Sequence, residues 1–330
     1  MTSISVCITN FNYAEYLPAA VDSVLTQAVD DLDVVVVDDG STDDSLAVLE
    51  RYGADVLVIA KPNGGQASAM NAGLAAAIGD LVLFLDADDV LLPGALAAFV
   101  EGFEARPDAV KVASPLRVVD GSGAPTGAVR PPAHWSLPVG DLRDLALRRR
   151  SYLWPACSGN CYRRSALERC MPIPEEEFRI EADLYLATLI VLEGPISALD
   201  APVVGYRVHG SNNFNGHAAD APFLHLKLQR IEELHRIVRE RGSAATVPED
   251  PAALRDPAYL AYRLGSLVME PDTHPHPEDR RWRLGARCAW ASATHPGHPL
   301  RSRARRTAWA VVVGLGPGPM ARRAVGTRFA

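Results

Sequence analysis

The sequence predicts an α/β fold: a mostly parallel sheet flanked by helices, followed by a helical C-terminal extension. Three observations carry this. Short apolar runs, of the kind buried on both faces of a parallel sheet, recur at residues 3–9, 32–37, 56–60 and 81–85. Each is followed by a stretch of helical character. Three of the runs end in polar clusters, at residues 10–13, 38–43 and 86–89. Right-handed crossovers place such ends on one edge of the sheet, where open α/β sheets bind ligands.

The elements follow in order. Ser3 to Thr9 reads as the first strand, and Asn10-Phe11-Asn12-Tyr13 as a polar, aromatic loop. A helix over 14–27 places Leu17, Ala20, Val21, Val24 and Leu25 on one face. The second strand runs into Asp38-Asp39-Gly40-Ser41-Thr42-Asp43, where Ser41 or Thr42 is placed to cap the next helix. Strand 56–60 leads to the flexible turn Lys61-Pro62-Asn63-Gly64-Gly65 and an alanine-rich helix over 66–78. The fourth strand, 81–85, meets Asp86-Ala87-Asp88-Asp89, and Pro93 is placed to open the helix running to Ala105. Clustered carboxylates repel one another unless a cation or donors compensate, and hard oxygen ligands suit Mg²⁺ or Mn²⁺.

Beyond residue 107 the pattern thins. Residues 110–113 read as a strand, 121–125 as a hairpin turn, 142–149 as a helix, and 165–170 as a short helix. Residues 180–192 are helical and carry Glu181 and Asp183; strand 203–208 ends at His209. From Pro222 the spacing is helical, with Pro- and acid-rich connections at 247–251 and 271–279. The expected domains are 1–215, in two halves at 1–107 and 108–215, and a helical extension, 216–330.

Composition narrows the function. A net charge of −7 argues against nucleic acid as a partner of the whole chain. The average hides an asymmetry, since no acidic residue follows Asp279 while eleven arginines do. That segment is either a solvated face or a footprint for anionic lipid or an acidic partner. Five cysteines, an odd number with Cys7 in a buried strand, fit reduced thiols. No basic leader segment opens the chain and no apolar stretch reaches membrane-span length, so a cytoplasmic location is expected, with peripheral contact at the cytoplasmic membrane face left open.

Four spaced motifs together resemble the family-2 glycosyltransferases of the GT-A fold: Thr9-Asn10-Phe11-Asn12-Tyr13, Val37-Asp38-Asp39-Gly40-Ser41-Thr42-Asp43, Asn63-Gly64-Gly65 through Asn71-Ala72-Gly73, and Leu85-Asp86-Ala87-Asp88-Asp89. The resemblance is dense over 1–107 and continues to Tyr206-Arg207-Val208-His209. It implies a nucleotide-sugar donor, most simply a UDP-sugar, bound by the half 1–107, and a glycan, lipid-linked or small-molecule acceptor on the side of the half 108–215. Asp88 is carried over as the metal-binding acid for Mn²⁺ or Mg²⁺, Asp86 as a ribose contact, and Asp39 as the base-recognising acid. Thr9, Asn10, Phe11, Tyr13 and Asn71 line the donor site, although for Phe11 core packing is an equal alternative. His209 completes the metal or diphosphate site, and Arg207 pairs either with the diphosphate or with the sheet. Asp89 coordinates, holds the loop, or supplies charge ahead of the following helix. Ser158-Gly159-Asn160 falls where an acceptor-side loop is expected.

The family inverts the anomeric centre and needs a general base, usually from a Glu-Asp pair. Here Glu181-Ala182-Asp183 breaks that pair. Asp183 is favoured, because it precedes Leu184-Tyr185-Leu186 as the family's second acid would, and Glu181 is the alternative. Glu175-Glu176-Glu177 reads as a solvated turn. The broken pair keeps open a non-catalytic nucleotide-sugar-binding module. A haloacid-dehalogenase-type phosphatase also places Asp-x-Asp after a strand, but after the first one and not the fourth.

Overall fold

A computed structural model describes residues 2–132, 135–149, 152–210, 221–241, 256–295 and 299–329. The chain forms two compact units, Met1–Asp144 with Leu153–Gly210, and Leu145–Tyr152 with Ser211–Ala330. The expected boundary at 215/216 and the connection at 247–251 lie outside the described residues.

The first unit opens with β1 (Ile4–Asn10), α1 (Leu17–Leu25), β2 (Leu32–Asp38), α2 (Ser45–Leu49) and β3 (Leu57–Ala60). It continues with α3 (Gln66–Ala76), β4 (Leu81–Asp86), β5 (Val90–Leu91), α4 (Ala95–Ala105), β6 (Lys111–Ala113), β7 (Leu116–Val119) and β8 (Pro125–Arg130). After α5 (Arg143–Arg149), most of which belongs to the second unit, the first unit resumes with β9 (Asn160–Arg163), α6 (Arg164–Cys170), α7 (Ala182–Glu193), β10 (Ile196–Ala198) and β11 (Val204–Arg207).

Seven strands make the main sheet in the order β10-β6-β9-β4-β1-β2-β3. Only β9 is antiparallel to its neighbours. The apolar runs explain the centre. Every residue of β1 is buried, as expected of a strand covered on both faces. On one face Val6, Ile8, Val36, Leu83 and Leu85 pack with Leu17, Val21 and Val24 of α1 and Leu96 and Phe99 of α4. Each such burial contributes about 1.5–3 kcal/mol before conformational entropy is set against it. On the other face α3 lies so close that a Cβ on Gly73 would sit 3.1 Å from the Cβ of Cys7. A second sheet, β5-β11-β7-β8, stands beside the first.

Register is what builds the site. Asn10 sits beside Asp38, and Thr9 beside Asp86. The ends of β1, β2 and β4 are therefore level at one carboxyl edge.

Several expected boundaries move. α1 begins at Leu17, with Pro18 in its first turn, and not at residue 14. α4 begins at Ala95, after Gly94 at φ 79°, so Pro93 precedes the helix and does not open it. Ser41 and Thr42 do not cap α2, which starts at Ser45 with Asp43 bonded to the Ser45 N–H and hydroxyl. Instead Ser41 Oγ accepts the Asn12 N–H at 2.9 Å, and the Thr42 N–H donates to Asn12 Oδ1 at 2.7 Å. All five cysteines are buried and unpaired with one another.

The second unit holds α8 (Ala221–Arg241), α9 (Pro257–Met269), α10 (Arg281–Thr294), α11 (Leu300–Leu315) and α12 (Gly318–Phe329). Its core gathers Leu224, Leu228, Tyr259, Leu264, Leu284, Cys288, Val313 and Val325. Asp256 caps α9 by accepting the Ala258 N–H at 2.8 Å. α10 and α11 touch at Gly285 and Gly314, where a Cβ on Gly285 would come within 2.6 Å of the Gly314 Cα. Buried Arg263 is neutralised by Asp279 and Glu278. No described helix is long and apolar enough to cross a membrane.

Candidate active site

The three acids after β4 have different surroundings. Asp86 is held from its own sheet: Oδ1 accepts from Thr9 Oγ1 at 3.3 Å and from Gln66 Nε2 at 3.5 Å. Burial, then the charges of Asp88 and Asp183, push its pKa up. Asp88 aims Oδ2 at His209 Nε2, 3.0 Å away. Asp89 is buried and braced; Oδ2 accepts from Ser158 Oγ at 2.6 Å and Oδ1 from the Arg207 N–H at 2.9 Å. Of the roles open to it, Asp89 holds the loop. Its pKa is raised by burial, then by Asp88 and Asp86.

The second sheet supplies the opposite wall. Arg207, on β11, donates from Nε to the Asp88 carbonyl at 2.7 Å and from a terminal nitrogen to the Gly121 carbonyl at 3.0 Å. Its guanidinium lies 5.1 Å from the Tyr16 ring centre. The His209 ring packs 4.5 Å from Tyr16 and edge-on to Tyr13 at 5.6 Å. The Tyr13 hydroxyl titrates above its usual range through burial and then the charges of Asp88, Asp86 and Asp89. Phe11 is 45% exposed, so it is not core packing.

Asp38 and Asp39 divide the work at the end of β2. Asp38 fixes the turn, accepting from Asn10 Nδ2 at 2.7 Å and the Ser41 N–H at 3.0 Å. Asn10 is buried, and among the described residues its Oδ1 has no hydrogen-bond partner. Asp39 accepts from Lys61 Nζ at 2.7 Å, the Gly64 N–H at 2.9 Å and the Gly65 N–H at 2.6 Å. This folds the Gly64-Gly65 turn back over β2. Gly65 needs φ +87°, and a Cβ there would stand 2.4 Å from the Arg179 carbonyl oxygen. Gly65→Ala is expected to cost about 2 kcal/mol or more, read as a lower urea midpoint.

α3 and α7 meet through Gln66, whose Oε1 accepts the Ala182 N–H at 3.1 Å. Glu181 is the residue before α7, at φ 68°, and Asp183 lies in the first turn. Asn71 is committed to the segment after α6: it donates to the Ile173 carbonyl and to Glu175, and accepts the Ile173 N–H. Glu175, Glu176 and Glu177 are exposed.

Lys61 and Gln66 carry no local sequence signal for the site, and Tyr16 has one cue, lying three residues from Tyr13 and so on the same side of a turn. Ser158, expected at an acceptor loop, is fully buried and also accepts the Asp86 N–H, at 3.1 Å.

A mostly parallel sheet with clustered acids at its carboxyl edge defines an open α/β fold with a candidate ligand site at that edge. The model of Glycosyl transferase family 2 matches residues 5–170, half of the chain, and the protein belongs to that family. The phosphatase reading is thereby set aside. The glycosyltransferase alr2836 of Nostoc sp. (strain PCC 7120 / SAG 25.82 / UTEX 2576) is 39% identical over 215 residues, 64% of this chain and 66% of that protein. Chondroitin synthase of Pasteurella multocida (strain Pm70) is 43% identical over 103 residues, 30% of this chain and 11% of the synthase. The matched stretches thus span about two thirds of the first relative and about a tenth of the second. Among solved structures, S. aureus TarS 1-349 in complex with UDP-GlcNAc superposes with a TM-score of 0.55 at 18% identity, covering 94% of this chain and 90% of that one. Mannosyltransferase PcManGT from Pyrobaculum calidifontis, in complex with GDP-Man and Mn²⁺, gives 0.50 at 18% identity, covering 97% and 77%. At that identity the likeness concerns the fold.

Proposed function

We propose that the protein transfers a sugar from a UDP-sugar to an acceptor hydroxyl with inversion, assisted by Mn²⁺ or Mg²⁺. The observation that carries this is the Asp88–His209 pair, 3.0 Å apart, beside a second acid, Asp86, whose pKa is raised by burial and by neighbouring charge. Such a site calls for a cation. Among the described residues no trio of His, Cys, Asp or Glu is placed to hold a metal alone. One carboxylate and one imidazole suit a divalent ion completed by diphosphate oxygens and water, as is usual for nucleotide-bound ions. Bound there, the ion would offset the charge developing on the departing diphosphate.

The chain's own residues then take these parts. Asp39 accepts from the uracil ring. Exposed Phe11 stacks on the base, and Tyr13, packed against His209, lines the same donor site. Asp86, oriented by Thr9, meets the ribose hydroxyls. Asn71 acts on the donor side through the segment it clamps. Asp183 takes the proton of the acceptor hydroxyl as its oxygen attacks the anomeric carbon and the bond to the diphosphate breaks. Residues 1–215 would then be the catalytic domain.

A thermal-shift screen of UDP- and GDP-sugars with Mn²⁺ tests the donor. A ligand at a hundred times its Kd stabilises by about 2.7 kcal/mol. A UDP-sugar is expected to raise Tm, and less so with chelator present. A shift with GDP-sugars alone overturns the uracil assignment. The broken Glu-Ala-Asp pair favours a second reading, a non-catalytic donor-binding module. Binding without transfer to any acceptor or to water would select it.

A further inference from the structure

The outward face of α11 has the wrong polarity for a helix in water. Leu300, Ala304, Ala308, Val311 and Leu315 are exposed and recur at helical spacing, with Val312 alongside. Leu300 is 80% exposed and Leu315 70%. This stripe is not the helix's core face, because Ala310 and Val313 supply that and Gly314 meets α10. Arg301 and Arg305, also exposed, border the apolar stripe. α10 presents a face of the same kind: Trp282, Ala286, Trp290 and Ala293 are exposed, beside Arg283 and Arg287. Single exposed apolar side chains are ordinary, whereas a continuous stripe rimmed by one sign of charge marks an interaction surface.

The charge selects the partner. From Arg280 to the end there are eleven arginines and no Asp or Glu. A second copy of this face would set arginines against arginines. A nucleic acid would use the guanidinium groups and leave the Leu and Val side chains in water. A bilayer surface with anionic headgroups takes both: apolar side chains enter the acyl boundary, and the cations stay at the phosphates. Tryptophan, apolar with one polar edge, suits that layer. We propose that α11, together with the outward face of α10, docks this protein on the surface of an anionic phospholipid bilayer.

Co-sedimentation of the full chain with vesicles tests this, using phosphatidylcholine alone or mixed with phosphatidylglycerol. The wild type is expected to bind the mixed vesicles and to be released by salt. L300Q/V311N/L315Q is expected to weaken binding about tenfold or more. R301Q/R305Q removes two charges, each worth about fivefold, so about 25-fold together. All five positions are exposed, and unchanged urea midpoints would show the fold intact. Failure of the wild type to bind mixed vesicles overturns the proposal, as does binding that neither variant weakens. A lipid-free dimer that L300Q/V311N/L315Q dissociates would assign the face to a second copy and overturn it as well.

Discussion

Asp88→Ala is expected to abolish metal-dependent donor binding while leaving the fold in place. The carboxylate faces His209, just beyond the end of β11, at 3.0 Å, and Arg207 of β11 donates to the Asp88 backbone carbonyl. The loop itself is braced by Asp89, through Ser158 and the Arg207 N–H, so its shape does not depend on the Asp88 side chain. Losing a hard anionic ligand from a site with one carboxylate and one imidazole removes most of its hold on a divalent ion. The expected loss is about a hundredfold or more in UDP affinity with Mn²⁺, and a larger loss in transfer, since charge stabilisation matters most as the diphosphate departs. Affinity without metal should hardly change, which separates a lost cation from a damaged nucleotide site. His209→Ala should fall in the same direction by less, because imidazole brings no charge when neutral. Calorimetry with UDP and Mn²⁺ decides: unchanged affinity in Asp88→Ala would remove the metal role.

Why these acids were legible, and their supports were not, is a matter of sequence distance. The strand Leu81–Asp86 announces itself, because five consecutive apolar residues and a terminal acid are a local pattern. The same holds for β1 and β2, and hence for the parallel core. A strand-like piece beginning at Ser158-Gly159-Asn160 is legible, but β9 is four residues long and β10 three, too short to show that β9 inserts antiparallel between β4 and β6. Ser41 and Thr42 look like helix caps by position, yet Asn10 and Asn12 lie close enough in the fold to take their hydrogen bonds. Ser158 reaches Asp89 across 69 residues, and Lys61 reaches Asp39 only because the Gly64-Gly65 turn folds back. A brace of that kind has no periodic signature, since it depends on two elements arriving at the same edge.

Asp183→Asn is expected to stop transfer and spare donor binding. Asp183 stands in the first turn of a twelve-residue helix, where backbone N–H groups and the helix dipole favour the carboxylate anion, the form a general base needs. Its charge is felt at Asp86, so it is not remote from the donor side of the cleft. Gln66 joins the two sides, accepting the Ala182 N–H and donating toward Asp86. Asparagine keeps the shape and removes the basicity, and the loss of a positioned general base costs about a hundredfold to ten-thousandfold in rate. UDP–Mn²⁺ affinity should stay within about twofold, since the proposed donor contacts are at Asp39, Asp86 and Asp88. Glu181→Gln is the informative partner. Glu181 precedes the helix in a left-handed conformation, where its side chain is held by a different geometry from that of Asp183. If Glu181→Gln is silent and Asp183→Asn is not, the second acid of the broken pair is the base. If Asp183→Asn retains full transfer while Glu181→Gln loses it, the first acid is. Parallel loss of donor affinity in Asp183→Asn would instead make that residue part of donor binding, because a base for the acceptor acts only on the transition state of transfer.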